Sequence, residues 1–197
     1  IFLPWLPQTC ANAETRHSAV SRILKDQPKV GWKLLTELLP DVHQYSSYTH
    51  RPKWRDYIPQ DWQDGATNHA RNADYLFYIG LTIQEARSDV DRLKTLIDRY
   101  FDIDPVSRDA LRARLASPDV LDLPQDQRLT IWHAIRVKTS RHRTFADSPN
   151  WNEPEAELKK LDEVAELVKP SDPLIFFRHL FTSRERELFE DNGNFEE

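Results

Sequence analysis

Prolines stand in this chain where helices begin, and that placement constrains the fold more than any other feature. Proline holds φ near the helical value and lacks an N–H, so a first helical turn accepts it and a helix interior does not. Asp104-Pro105 supplies an N-cap and a first helical residue ahead of Ala110, Leu111 and Leu115. Asp172-Pro173 repeats the device before Leu174, Phe177 and Leu180. Gln27-Pro28 precedes the apolar run Val30, Trp32, Leu34, Leu35, Leu38 and Leu39, which Pro40 stops. Leu123-Pro124 stands before Leu129, Trp132 and Ile135, and Glu153-Pro154 before Leu158, Leu161, Val164, Ala165 and Val168.

Periodicity agrees. Ile83, Ala86, Val90, Leu93, Ile97 and Tyr100 recur at spacings of three and four, which lays one apolar stripe along a helix. Gln84, Arg87, Asp89, Asp91, Arg92 and Lys94 lie between them as a solvated face. Strand alternation of comparable length is absent. The pattern predicts helices near 11–26, 28–39, 67–81, 83–101, 105–116, 125–142, 154–168 and 173–181. Only four glycines accompany thirteen prolines, which argues against the many tight turns of a β fold. The expected class is therefore all-α, with antiparallel helical hairpins stacked as a degenerate α-solenoid or a bundle. No Pro/Gly-rich linker divides two compositions, so residues 1–197 are expected to form a single helical domain.

Composition narrows the functions. Hydrophobic residues make up 39% and charged residues 30%, a globular mixture. The formal net charge of −5 disfavours a general affinity for nucleic acid. A lone Cys10 leaves no partner for an intrachain disulfide and suits a reducing cytoplasm. The apolar IFLPWLP start is far too short for a membrane span, so no membrane role is expected. Ile1 and the lack of any methionine suggest an internal fragment of a larger protein.

Chemistry-bearing motifs are missing. The seven histidines (His17, His43, His50, His69, His133, His142 and His179) form no HExxH pattern and no convincing ligand spacing, so no metal is expected. No phosphate-cradling glycine loop or nucleophile elbow occurs, so no cofactor and no catalytic residue are expected. Asp191-Asn192-Gly193-Asn194 lacks the remaining ligands of a calcium loop and reads as a turn.

Two segments carry interaction chemistry. The long connection at 40–66 contains Tyr45, Tyr48, Lys53, Trp54, Arg55, Tyr57 and Trp62, the residue types of interface hot spots and of base stacking. The bland reading of the same residues is that Trp54 and Trp62 anchor that segment on the helices, as large loop tryptophans usually do. A second connection, 143–153, holds Phe145, Pro149 and Trp151. The basic run Arg136, Lys138, Arg141, His142 and Arg143 complements a helix C-terminus, with an acidic partner or a nucleic-acid backbone as the alternative.

In order along the chain, FLPWLPQTCANAETR, VGWKLLTELLP, RPKWRDY, SPDVLDLPQDQRLTIWHAIR, SRHRTFADSPNWNEPEAELKKL and PSDPLIFFRHLF resemble one helical region. That region belongs to large multidomain bacterial proteins, the STAND-type NTPases of antiphage defence and related sirtuin-bearing defence proteins. The resemblance implies that ATPase and effector sites lie in other domains, while the helical array senses a partner or holds an assembly together. The matching positions Trp5, Pro7, Trp32, Pro40, Pro52, Trp132, His142, Trp151, Pro154 and Pro173 are of packing and capping type, and Trp54 and Arg55 suit a contact surface. The expected function is a non-catalytic interaction segment, sensing a protein partner or self-assembling. An architectural spacer and a nucleic-acid-binding helical domain stand as alternatives.

Overall fold

Each proline device sits at a helix start in the computed structural model, which describes residues 2–7, 9–40, 67–147 and 153–175. Among these the chain is all-α: eight helices and no strand. They are α1 (Ala13–Asp26), α2 (Pro28–Leu38), α3 (Asn68–Ala86), α4 (Val90–Asp98), α5 (Pro105–Leu115), α6 (Pro118–Leu121), α7 (Gln125–Thr144) and α8 (Glu155–Val168). Pro28, Pro105 and Pro118 open α2, α5 and α6, while Pro124 and Pro154 immediately precede α7 and α8. The Asp104 carboxylate accepts the Ser107 N–H at 3.0 Å, which satisfies one free donor of the α5 start. Asn12 caps α1 in the same way, through the Thr15 N–H at 2.9 Å.

The stripe from Ile83 to Tyr100 is divided between two helices, which corrects the single helix expected over 83–101. Helix α3 continues to Ala86, and Arg87 then takes the left-handed φ of 47°. Asp89 restarts the chain by accepting the Arg92 N–H at 3.1 Å, a side-chain cap. The break leaves the buried pattern intact: Ile83, Ala86, Leu93, Ile97 and Tyr100 are all buried. Periodicity alone could not see it. The other shifts are smaller: α6 was not anticipated, and α7 runs to Thr144 rather than ending at 142. Residues 173–175 begin the turn expected at Pro173, and the rest of that helix lies outside the described residues.

The chain groups into two compact units, one formed from Ile1–Glu85 with Asp102–Arg108 and the other from Ala86–Phe101 with Asp109–Glu197. No change of composition in the sequence marks these borders. They fall at the last turn of α3, just after α4 and inside α5.

In the first unit, α1 and α2 form a hairpin joined by Gln27, which ends α1 and begins α2. Gly31 makes their approach close: a Cβ built there would lie 2.4 Å from the Leu24 Cα. The buried seam of α2 thus runs through Gly31, Leu35 and Leu38, while Val30 is 58% exposed. Tyr78 of α3 completes the core with Val20, Leu24, Leu35 and Leu38, and Phe77 and Leu81 pack against it.

In the second unit, α7 and α8 run antiparallel. Their contacts fix the direction: Arg128 meets Val168, Arg136 meets Asp162 and Arg143 meets Glu155. Arg128 donates to the carbonyls of Leu167, Val168 and Lys169 at 3.1, 3.1 and 2.7 Å, occupying acceptors that the end of α8 leaves free. Gln125 and Ser171 exchange two hydrogen bonds of 2.9 Å beside it. Helix α4 packs on α7, with the Phe101 and His142 rings 4.0 Å apart.

Candidate partner-binding groove

Helix α3 divides its faces between support and exposure. Asp74, Phe77, Tyr78 and Leu81 fall on one side at helical spacing and meet α1 and α2. Arg71, Asn72, Tyr75, Leu76 and Ile79 fall on the adjacent side and line a groove within the first unit.

The support is ionic as well as apolar. Asp74 is fully buried and accepts hydrogen bonds from Arg16 and from His17 Nε2, the latter at 2.7 Å. Arg16 also donates to the Ala11 carbonyl at 2.8 Å. The His17 ring stacks on Phe77, with centroids 3.8 Å apart and planes 5° from parallel. Burial pushes the Tyr78 hydroxyl above its ordinary pKa, and the Asp74 carboxylate adds to that while Arg16 opposes it. A buried carboxylate with two donors is costly to desolvate and costlier to leave half-paired, so it pins α3 in one rotation on α1.

The groove holds about 620 Å³, within the range of small-ligand sites. Ile79 and Ile103 are buried in it, while Leu76 is 47% and Val106 72% exposed. Trp5, Pro40, Asp102 and Asp104 complete the lining. Asp104 is already engaged as the α5 cap. Burial raises the Tyr75 pKa and the nearby Arg71 charge lowers it, so the phenol and the guanidinium share one environment. Among the described residues the lining holds no His, Cys, Ser or Lys, and its chemistry is apolar contact with a few charges. Among the described residues no cluster of three or more His, Cys, Asp or Glu could hold a metal ion. Among them, too, no helix is long and apolar enough to cross a membrane.

Tyr45, Tyr48, Lys53, Trp54, Arg55, Tyr57 and Trp62 lie outside the described residues, as do Pro149 and Trp151 and the turn at 191–194. The basic run is described, and α8 accounts for much of it. Asp162 accepts from Arg136 at 3.2 Å, from Thr139 at 3.1 Å and from Arg143 at 2.6 Å. Glu155 pairs with Arg143 at 2.8 Å. Burial would lower the Arg143 pKa, yet the bonds and charges of Glu155 and Asp162 outweigh it and hold it above the ordinary value. Lys138 donates to the Asp98 carbonyl, the last residue of α4, at 2.6 Å and lies over the Phe101 ring. His142 is buried against Phe101, and Arg141 is exposed.

Asp162 therefore organises the run. Asp162→Ala is expected to cost about 1.5–3 kcal/mol, the range for hydrogen bonds to a charged group. It should also take one acid away from Arg136 and from Arg143, which keeps Glu155, so that a gel shift with duplex DNA strengthens in low salt and fades as salt rises. A variant with unchanged stability and unchanged DNA retention would show that the network does not hold these cations.

Of the groove residues, the sequence singles out only Trp5, Pro40 and Asp104, as packing and capping positions. Arg71, Asn72, Tyr75 and Leu76 stand in a stretch whose charges and apolar residues resemble those of any amphipathic helix. The available signal is that α3 carries apolar residues over a wider arc than one core contact needs. Comparison with protein-family models, with curated proteins and with solved structures finds no match for this chain.

Proposed function

We propose that this chain is a non-catalytic helical interaction segment, which senses a protein partner or self-assembles within a larger bacterial protein of the defence type. The observation that carries the reading is the open groove on α3, where Leu76 and Val106 expose large apolar side chains beside Trp5 and Tyr75. Exposed apolar surface gathered into a concavity gains most from being covered by another molecule. The defence setting rests on the resemblance of the whole chain, in order, to the helical regions of such proteins.

The test is a photo-crosslinking residue placed at Leu76, at Val106 or, as a control, at Val30, which is exposed on α2. Each variant is expressed in the host cell and irradiated. A discrete product, with a second copy or another protein, is expected from the two groove positions and not from Val30. Identical products from all three positions, or none, would leave the chain as an architectural spacer.

A further inference from the structure

We propose that the α1–α2 hairpin holds the phosphate backbone of a nucleic-acid duplex through Lys25, Lys29 and Lys33, a contact separate from the groove on α3. Lys29 and Lys33 stand one turn apart on α2, each two positions from Gly31 and so on the side of the helix away from its buried seam. Lys25 stands in the last turn of α1, which the single residue Gln27 joins to the first turn of α2. All three lysines are exposed, and among the described residues none has an ion-pair partner. Asp26, the acid beside them, pairs with Arg22 at 3.4 Å. Glu37 lies one turn beyond Lys33 and forms no ion pair with it. The hairpin thus sets Arg22, Lys25, Lys29 and Lys33 against Asp26 and Glu37, and the excess charge is positive.

Helix stability does not account for this placement. Lys25 complements the C-terminal end of α1, but Lys29 stands in the first turn of α2, where the helix dipole disfavours a cation and no acid offsets it. Lys29 and Lys33 also repel each other at that spacing. An anion laid across them relieves both. The net charge of −5 does not cancel the patch at contact, because charges farther away than roughly 8–10 Å are largely screened at physiological salt. Residue type then selects the anion. Protein interfaces centre on Trp, Tyr and Arg and are depleted in lysine, whereas this face offers three lysines and Val30. Lysine is a strongly hydrated point charge and serves phosphates that stay in water. Single strands are held by open aromatic rings on which bases stack, and Trp32 of α2 is half-buried. A duplex, whose bases are already stacked, needs only the charges.

The experiment is fluorescence anisotropy of a short labelled DNA duplex with the full chain, repeated across a salt series. Binding is expected at low salt, and log Kd should rise against log salt with a slope of about 3, one for each lysine on a phosphate. The Lys25→Gln, Lys29→Gln, Lys33→Gln triple variant should bind about tenfold or more weakly at low salt and lose most of that slope. Lys159→Gln, at an exposed lysine of α8, is the control and should bind as the unaltered chain does. Circular dichroism confirms that each variant keeps its helices. Absence of binding at low salt, undiminished binding by the triple variant, or an equal loss from Lys159→Gln would overturn the proposal. So would tighter binding of a single strand of the same sequence. Displacement by polyglutamate as readily as by unlabelled duplex would overturn it too, and would point to an acidic protein instead. Photo-crosslinking at Leu76 and Val106 does not involve these lysines, so the groove reading stands or falls separately.

Discussion

Asp74→Ala is expected to cost about 3–5 kcal/mol, the largest single effect in the chain, because it strands a buried guanidinium without its counter-ion. Arg16 is nearly buried, its side chain 8% exposed, and Asp74 is completely so. Removing the carboxylate removes the bonds from Arg16 and from His17 together. Asp74→Asn preserves the volume but weakens the charge pairing, so a smaller loss is expected. The Arg16→Met, Asp74→Leu double variant should recover most of the stability, since a buried pair replaced by apolar groups of similar size is often neutral. Urea titrations of the wild type, Arg16→Met, Asp74→Leu and the double variant complete the cycle. Equal, additive losses from each single change would show that the two residues do not form a pair. The effect also has a functional arm, because the same contact sets the rotation of α3. Asp74→Ala is expected to weaken groove cross-linking at Leu76 even where the chain stays folded.

Gly31→Ala should lower stability by about 2 kcal/mol, although alanine is the better helix former by about 1 kcal/mol. The new Cβ would sit 2.4 Å from the Leu24 Cα, and a backbone atom cannot rotate out of the way. Helices α1 and α2 must then separate, which loosens the contact of Val20, Leu24, Leu35 and Leu38. Gly31→Leu should cost more and disrupt the hairpin. Gly80 provides the control: it is exposed within α3, and a Cβ there would meet nothing within 4 Å. Gly80→Ala is expected to stabilise by about 0.5–1 kcal/mol through helix propensity. The two substitutions are chemically identical and should differ in sign. A neutral or stabilising Gly31→Ala would mean that the α1–α2 approach is looser than the structure has it.

Helix positions were legible to within a few residues because prolines and caps act locally. Pro28, Pro105, Pro124 and Pro154 mark their boundaries through φ and the missing N–H, without reference to anything distant. The exception is instructive. The stripe from Ile83 to Tyr100 remained in phase across the turn at Arg87–Asp89, so a helix break left no trace in the spacing. A tight turn capped by an ordinary aspartate can rejoin two helices without moving the apolar pattern out of register.

The candidate site was legible much less far. Arg136 and Arg143 formed a basic run on paper, yet the Asp162 that holds them lies 26 and 19 residues away in sequence. Nothing in a list of charges distinguishes an acid that will face that run from one that will face water. The aromatic stretch from Tyr45 to Trp62 remains a sequence reading, outside the described residues, and the groove supplies a second surface that the sequence did not suggest.

By itself, then, the sequence determined an all-α chain and the start of most of its helices, since proline geometry, capping and a period near 3.6 are local properties of the backbone. Tertiary structure alone decided which face of α3 would be covered and which left open. Arg16 and Asp74 stand 58 residues apart, and their meeting, with the packing of Phe77 and Tyr78, sets α3 so that Arg71, Tyr75 and Leu76 line a groove. Periodicity states that a helix has a face to bury. What covers that face is settled by the packing of distant segments, where buried charges must find partners and a glycine lets two backbones touch.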